Sequence, residues 1–499
     1  MFRRTWLVCV SLLVAAVAHG QDMHDHGVPE KLGKVTFPVS CDPKVQQPFD
    51  RAVALLHSFA YGPATKAFQA VLVTDPGCAM AHWGVAMSYF HPVWAPALPP
   101  DTFAAGQKEM LAATRLGAAT PREKQFIQAL GELYKVDPRL TLPQRTLAYE
   151  KAMAEVARDN PTDVEAQVFY AVALLSNAAP SDKTHARQKQ AIDILEPLFR
   201  THPDHPGIAH YLIHACDSAE LAQRGLPAAR KYASIAPSAP HALHMPSHIF
   251  TRLGLWDDSI QSNLASEKSA REHGDTMGQL HAMDYLVYAY LQTGRVKEAD
   301  GVIAELHAMP PLDMEDFGVA YAATAMPIRV AVEQSHWADA SAIRDPDGAP
   351  PSVVAIAVWA RGLGLARTGH PAEAAKEAIR LEQIAKQLGD SGDTYWSLQT
   401  GVLADEVSAW AAQASGDAAN ATARLASAAD KEDALEKRPV TPGPIVPARE
   451  QLGDLLLQQN KAAPALAAFK TSLAGSPGRA GALRGQTIAS SPPPTPPAR

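Results

Sequence analysis

Basic residues never form a run longer than two in this chain, and its 52 acidic residues outnumber its 45 Lys and Arg. Nucleic acids and anionic membranes are gripped by clustered positive charge, so neither is an expected partner. Long apolar runs are missing too. The stretch Trp6–Val17 has about a dozen residues, against roughly 20 for a bilayer-spanning helix, and no membrane span is expected. Familiar catalytic signatures are also absent: there is no Walker phosphate loop, GxSxG elbow, Rossmann fingerprint, CxxC pair or HExxH. Any chemistry must come from a constellation those motifs do not describe.

Cysteine is scarce, with four in the whole chain. Cys9 lies in the apolar run, between a basic start (Arg3, Arg4) and the small-x-small site Ala18-His19-Gly20. That order predicts a signal peptide over 1–20, a mature chain beginning near Gln21, and a periplasmic or secreted protein. Cys9 lacks the small residue expected before a lipoprotein cysteine, so no lipid anchor is expected. Cleavage removes Arg3 and Arg4 and takes the formal charge from −7 to −9. In an exported protein the default for two remaining cysteines is a disulfide. Cys41 in "PVSCDP" and Cys78 in "DPGCAM" both fall at loop positions and are expected to pair. Cys216, in "HACD", is left free and reads either as a small buried apolar residue or as a thiolate facing the histidines.

Helical periodicity dominates the rest: Ala, Leu and aromatic residues recur at three- and four-residue spacing, punctuated by breaks such as "TDPGC", "DNPTD", "THPDHP" and "APSAP". Pro203 and Pro237 stand 34 residues apart, each followed by a helix, a break and a second helix. That period resembles the tetratricopeptide repeat. The best-matching pieces are "AYGPATKAFQAVLVTDP", "RLGLWDDSIQSNLASE", "QTGRVKEAD", "RTGHPAEAAKEA" and "QQNKAAPALAAFKTSLAGSP". The resemblance covers residues 49–485 and implies an all-α, right-handed superhelix of degenerate helix pairs with a concave groove. More narrowly, "CAMAHWGVAMS", "HYLIHACD" and "HMPSHIFTRLG" resemble a group of exported bacterial tetratricopeptide-like proteins, a likeness that implies no particular activity. Outside the repeats, 21–48 reads as a polar leader, 91–101 as a proline-rich inserted loop, and 486–499 as a disordered proline-rich tail.

Nine of the 19 histidines fall between His202 and His281, which is not an even scatter. Seven residues after Pro203 comes His210, and seven after Pro237 comes His244. Eleven after each come His214 and His248. Both pairs are spaced i, i+4, which puts the two side chains on one helical face about 6 Å apart. Aligning Gly294 with Gly254 extends the register: His281 matches His241, Asp284 matches His244, and Tyr288 matches His248. In tetratricopeptide repeats this stripe lines the concave surface. The resemblance therefore implies a groove lined by His210, His214, Asp217, His241, His244, His248, Arg252, His281, Asp284 and Tyr288.

Neutral imidazole is the commonest protein ligand for Zn, Cu or Fe, and a carboxylate often completes such a site. A transition metal on His210, His214, His244 and His248 is one expectation, with Asp217 or Asp284 as a fourth ligand or as an acceptor behind a histidine. His241, Arg252, His281 and Tyr288 would then line the groove for a ligand. A protein, peptide or small anion held there without metal is another, with Arg252 and protonated histidines as donors. A structural, hydrogen-bonded cluster satisfied by Asp217, Asp284, Tyr211 and Tyr285 is a third. An enzyme, hydrolytic or oxidative, would have to use this same groove, with Arg252 orienting an anionic substrate and Asp217 or Asp284 as base. "HDH" at 24–26 reads as a stray feature of the leader. His57 and His91 reach the groove only if the superhelix curls.

Overall fold

A computed structural model describes residues 30–93 and 98–491. The expected signal peptide, His24, His26, Trp94 and the tail from 492 lie outside the described residues. The described chain is helical throughout, with no β-strand among its elements. Consecutive helices pack as antiparallel pairs, and the first helices of successive pairs also pack on one another. This is the all-α, tetratricopeptide-like arrangement that the repeats imply.

The central first helices are Val164–Ser176, Pro206–Ala215, Pro240–His244 with Pro246–Arg252, Thr276–Gln292 and Phe317–Glu333. Their starts from Pro206 onward lie 34, 36 and 41 residues apart, so the repeat drifts as it proceeds. These helices are largely buried because they form an inner layer, and their buried residues include the histidines, Asp284 and Arg329. Every residue of Pro206–Ala215 is buried. Their second helices, such as Ala222–Ile235 and Trp256–Glu272, bury one stripe and leave the other in solvent.

"HALHMPSHIF" is two short helices and not one. Pro246 has no N–H for the carbonyl one turn back, so the helix breaks at Met245. Met245 keeps helical dihedrals (φ −52°, ψ −36°), so His244 and His248 still share a face.

The leader does more than precede the repeats. Phe37 is fully buried against Phe49, Trp83 and Phe126, and the Ser40 amide and hydroxyl donate to the Glu123 carboxylate. Cys41 and Cys78 form the expected disulfide, with Cα atoms 5.0 Å apart. Cys216 is free and buried, and burial pushes its thiol up to about 12, which makes it an apolar residue at neutral pH. At the other end the expected disordered tail begins too early. Helix Ala480–Ser490 carries through 486–490 because no proline occurs before 492.

Two long-range features shape the centre of the molecule. Residues 434–447, between helices, cross the inner face of the array. Lys437 Nζ reaches Asp217 at 2.8 Å, the Tyr285 hydroxyl donates to the Thr441 carbonyl at 3.3 Å, and the Arg329 guanidinium donates to Thr441 and Gly443. The C-terminal helices also return to the middle. Trp256 Nε1 donates to the Gly478 carbonyl at 3.0 Å, and fully buried Arg479 pairs with Glu333 and Glu450 and donates to the Tyr288 hydroxyl. Gly254, at φ +68°, allows that approach: a Cβ there would lie 2.6 Å from the Pro477 carbonyl oxygen.

Candidate metal centre

The superhelix brings the predicted histidines together in two groups of three. His210, His214 and His241 form one; His244, His248 and His281 form the other. Within each group one nitrogen per ring lies within 4.8 Å of the others. The grouping differs from the expected site on His210, His214, His244 and His248. Each i, i+4 pair takes its third member from the start of the following first helix, so His241 and His281 belong to the groups themselves. The groups adjoin: His214 and His248 ring centroids are 6.2 Å apart, as are those of His241 and His244.

Hydrogen bonds fix the rings. His210 Nδ1 lies 2.6 Å from the His57 carbonyl oxygen, which can only accept, so that nitrogen carries the proton. His244 Nδ1 lies 2.6 Å from Asn263 Oδ1. The amide is oriented by its own Nδ2, which donates to the Ser259 carbonyl at 2.8 Å. His248 Nδ1 lies 2.9 Å from Asp217 Oδ2. In all three the backing acceptor holds Nδ1–H and leaves a bare lone pair at Nε2, the outer-shell pattern of metal-bound histidine.

Those lone pairs face other nitrogens, and His248 Nε2 also lies 3.4 Å from the Tyr285 hydroxyl, which is shared with the Thr441 carbonyl. His244 Nε2 and His248 Nε2 are 3.0 Å apart, and His210 Nε2 is 3.2 Å from His241 Nε2. In neutral rings with both Nδ1 atoms protonated, the His244–His248 contact sets acceptor against acceptor. A shared cation resolves it: metal–nitrogen bonds of 2.0–2.1 Å place ligand nitrogens about 3.3–3.5 Å apart. His214 adds to the conflict, since both its ring nitrogens are buried without a hydrogen-bond partner, a cost of about 1–3 kcal/mol per group.

Protonation is an expensive alternative. Burial, then the crowding of neighbouring imidazoles, drives His210, His214, His241, His244 and His281 well below the usual histidine range. Burial lowers His248 as well, against the pull of Asp217. Neutral imidazole is the ligand form.

The carboxylates have other tasks. Asp284 is not a ligand: its oxygens are taken by buried Arg329 at 2.7 and 3.2 Å. The register placed Asp284 on the inner stripe, but Arg329 lies in the next first helix and captures it. Asp217 stands behind His248 and also accepts from Arg252 and Lys437. Burial favours its neutral form, but Lys437, Arg252 and His248 outweigh burial and hold it well below the usual carboxylate range. Arg252 is spent on Asp217 and Glu436. Tyr288 is not a groove residue; it is buried under Arg479.

Several residues at the centre carried no usable signal in the sequence. Phe59 follows helix Gln46–His57 at the left-handed position that ends a helix, normally glycine, with φ +54°. Its ring lies over His210, His214 and His241 at 4.3, 5.5 and 5.5 Å between centroids. His185 (φ +52°) and Val93 (φ +77°) share that rare geometry and line a cavity of about 190 Å³ beside His214, Asp217 and Lys437. Strained residues gather where function over-determines the backbone.

A third group, His57, Glu165 and His205, lies against the first. His57 Nε2 and His205 Nε2 reach opposite oxygens of Glu165 at 2.8 and 2.9 Å. The remaining nitrogens are also met, by the Tyr211 hydroxyl at 3.0 Å and the Ile208 amide at 3.3 Å. Gly207 makes room for His57, since a Cβ there would lie 2.7 Å from its ring.

No family model matches the chain, and no curated protein matches it in sequence. Among solved structures it is similar to one in the crystal structure of the APC/C hetero-tetramer Cut9–Hcn1, at 11% identity and TM-score 0.36, over 91% of this chain and 77% of that one. It is also similar to one in the structure of Naa15/Naa10 bound to HypK-THB, at 12% identity and TM-score 0.24, over 85% and 62%. A third is the P58(IPK) TPR domain, at 15% identity and TM-score 0.22, over 84% and 99%. What the helix pairs of this molecule themselves establish is an all-α, tetratricopeptide-like superhelix with six histidines gathered on its inner face.

Proposed function

We propose that this chain is an exported scaffold whose six inner histidines bind a transition metal at two three-histidine sites. The facing Nε2 atoms of His244 and His248, each backed by an acceptor at Nδ1, carry the reading. A satisfied structural cluster would pair a donor with an acceptor at that contact. A peptide held on the same inner face would have to displace residues 434–447, which hydrogen-bond there already. Purified protein should retain transition metal by elemental analysis, and a His214→Ala/His248→Ala variant should lose it. Only trace metal in the wild type, even after reconstitution, sinks the proposal.

The cavity beside His214, with strained His185 and Val93 in its wall, favours a second reading: a metal-dependent enzyme, hydrolytic or oxidative. Three protein ligands leave a position for water or substrate. Asp217 would not be the base, since three cationic or donor groups hold it. An added small anion such as azide should change the spectrum of the cobalt- or copper-loaded protein if that position is open, and leave it unchanged if the protein fills it.

A further inference from the structure

We infer that the six-histidine centre is built for two monovalent copper ions, one on each group of three imidazoles. The inference rests on the metal-binding reading above and adds the number and charge of the ions.

The number follows from the grouping. Each set of three converges on its own point, with ligand nitrogens within 4.8 Å inside a set. The sets adjoin: His214–His248 and His241–His244 centroids are 6.2 Å apart, no farther than His214 and His241 inside the first set at 6.3 Å, so it is the nitrogens and not the ring centres that define the two points. Inside each set the closest nitrogen pair stands at 3.2 and 3.0 Å, close to the ligand spacing of a single ion. The two groups are also supported independently. The first is held by the His57 carbonyl and covered by Phe59; the second is held by Asn263 and Asp217.

The charge follows from what surrounds them. All six ligands are neutral, and neither group includes a carboxylate or a thiolate. Asp284 is paired with Arg329, and Cys216 belongs to neither group. Asp217 is hydrogen-bonded to the His248 ring, and it is shared with two cations, Arg252 and Lys437. The burial cost of an ion grows with the square of its charge, so a dication costs about fourfold more than a monocation to place there. Lys437 and Arg252 repel a dication twice as strongly as a monocation, and Asp217 and Glu436 offset that repulsion. A divalent ion on three imidazoles keeps its full charge unless water or substrate supplies an anion, and neither group supplies one from the protein. Imidazole is a good copper ligand, and three imidazoles with no compensating anion suit the singly charged ion.

The test is an anaerobic titration of the full-length mature chain with Cu(I), and separately with Zn(II), each against a competing chelator. The inference expects two Cu(I) per chain held against the chelator, and Zn(II) displaced by Cu(I). Lys437→Met removes one positive charge and should shift the Zn(II)/Cu(I) affinity ratio toward Zn(II) by about tenfold. Circular dichroism of the variant confirms that it folds. Two Zn(II) held in preference to Cu(I), or an unchanged ratio in folded Lys437→Met, overturns the inference and leaves the metal-binding reading standing. A single Cu(I) per chain overturns the two-ion assignment. Binding of neither ion overturns both.

Discussion

Two histidine clusters lie side by side in this molecule and have opposite hydrogen-bond logic. In His57–Glu165–His205 every ring nitrogen meets a partner of the complementary kind: two donate to one carboxylate and two accept from a hydroxyl and an amide. In the six-histidine centre, acceptors face acceptors at 3.0 Å and His214 has no partner. Both clusters are buried, apart from the half-buried His241, so burial alone does not mark a functional histidine. The difference lies in whether the protons can be assigned without conflict. The first cluster is complete as a protein; the second becomes complete when something else is added.

The sharpest way to break this comparison is to remove the carboxylate of the satisfied cluster. Glu165→Leu leaves two buried imidazole N–H groups unpaired and should cost about 3–5 kcal/mol in denaturant unfolding, with or without chelator. A chelator-dependent loss would mean that this cluster also holds metal. A smaller effect tests the other side. Metal at 100 times its dissociation constant should stabilise the wild type by about 2.7 kcal/mol. His244→Leu should reduce that gain, yet cost no more than about 1 kcal/mol in metal-free protein, because the lost hydrogen bond is offset by removing the facing lone pair. A large metal-free penalty for His244→Leu would erase the contrast.

The smallest effect concerns acid. Burial pushes Glu165 up, but His57 and His205 outweigh it and hold the carboxyl well below its ordinary value of 4.5. A depressed carboxyl contributes stability that is present above 4.5 and lost as pH falls below it toward the folded value. That one group should steepen the acid limb by up to about 1.4 kcal/mol per pH unit. In Glu165→Gln this part of the slope should vanish; an unchanged slope would show that Glu165 is not held ionised.

The sequence made the inner stripe legible because a strict 34-residue offset between Pro203 and Pro237 carries His210 to His244 and His214 to His248. Helical period and repeat period together fix which side chains point inward. They do not fix which of those groups meet. Asp284 follows the same register and is taken by Arg329, a residue 45 positions away. His57 and Glu165 join the site only because the superhelix curls, a property summed over many small inter-repeat rotations. Phe59 stands where a helix normally ends in glycine, and its purpose shows only once three imidazoles are seen beneath it. Residues 434–447 have no repeat pattern at all, so nothing in their composition announces that they cross the inner face.

The return of Arg479 to Tyr288 and Glu333, with Trp256 fastened to Gly478, changes what kind of object this array is. An open solenoid is a stack that can shed its last repeat and keep the others, because each unit leans only on its neighbours. Here the last turn is a clasp closed on the middle of the stack, and the segment leading to it, 434–447, is drawn across the histidines like a bar. Loosening the far end therefore loosens the bar, so Arg479 and a centre 198 to 269 positions earlier (His281 to His210) share one fate.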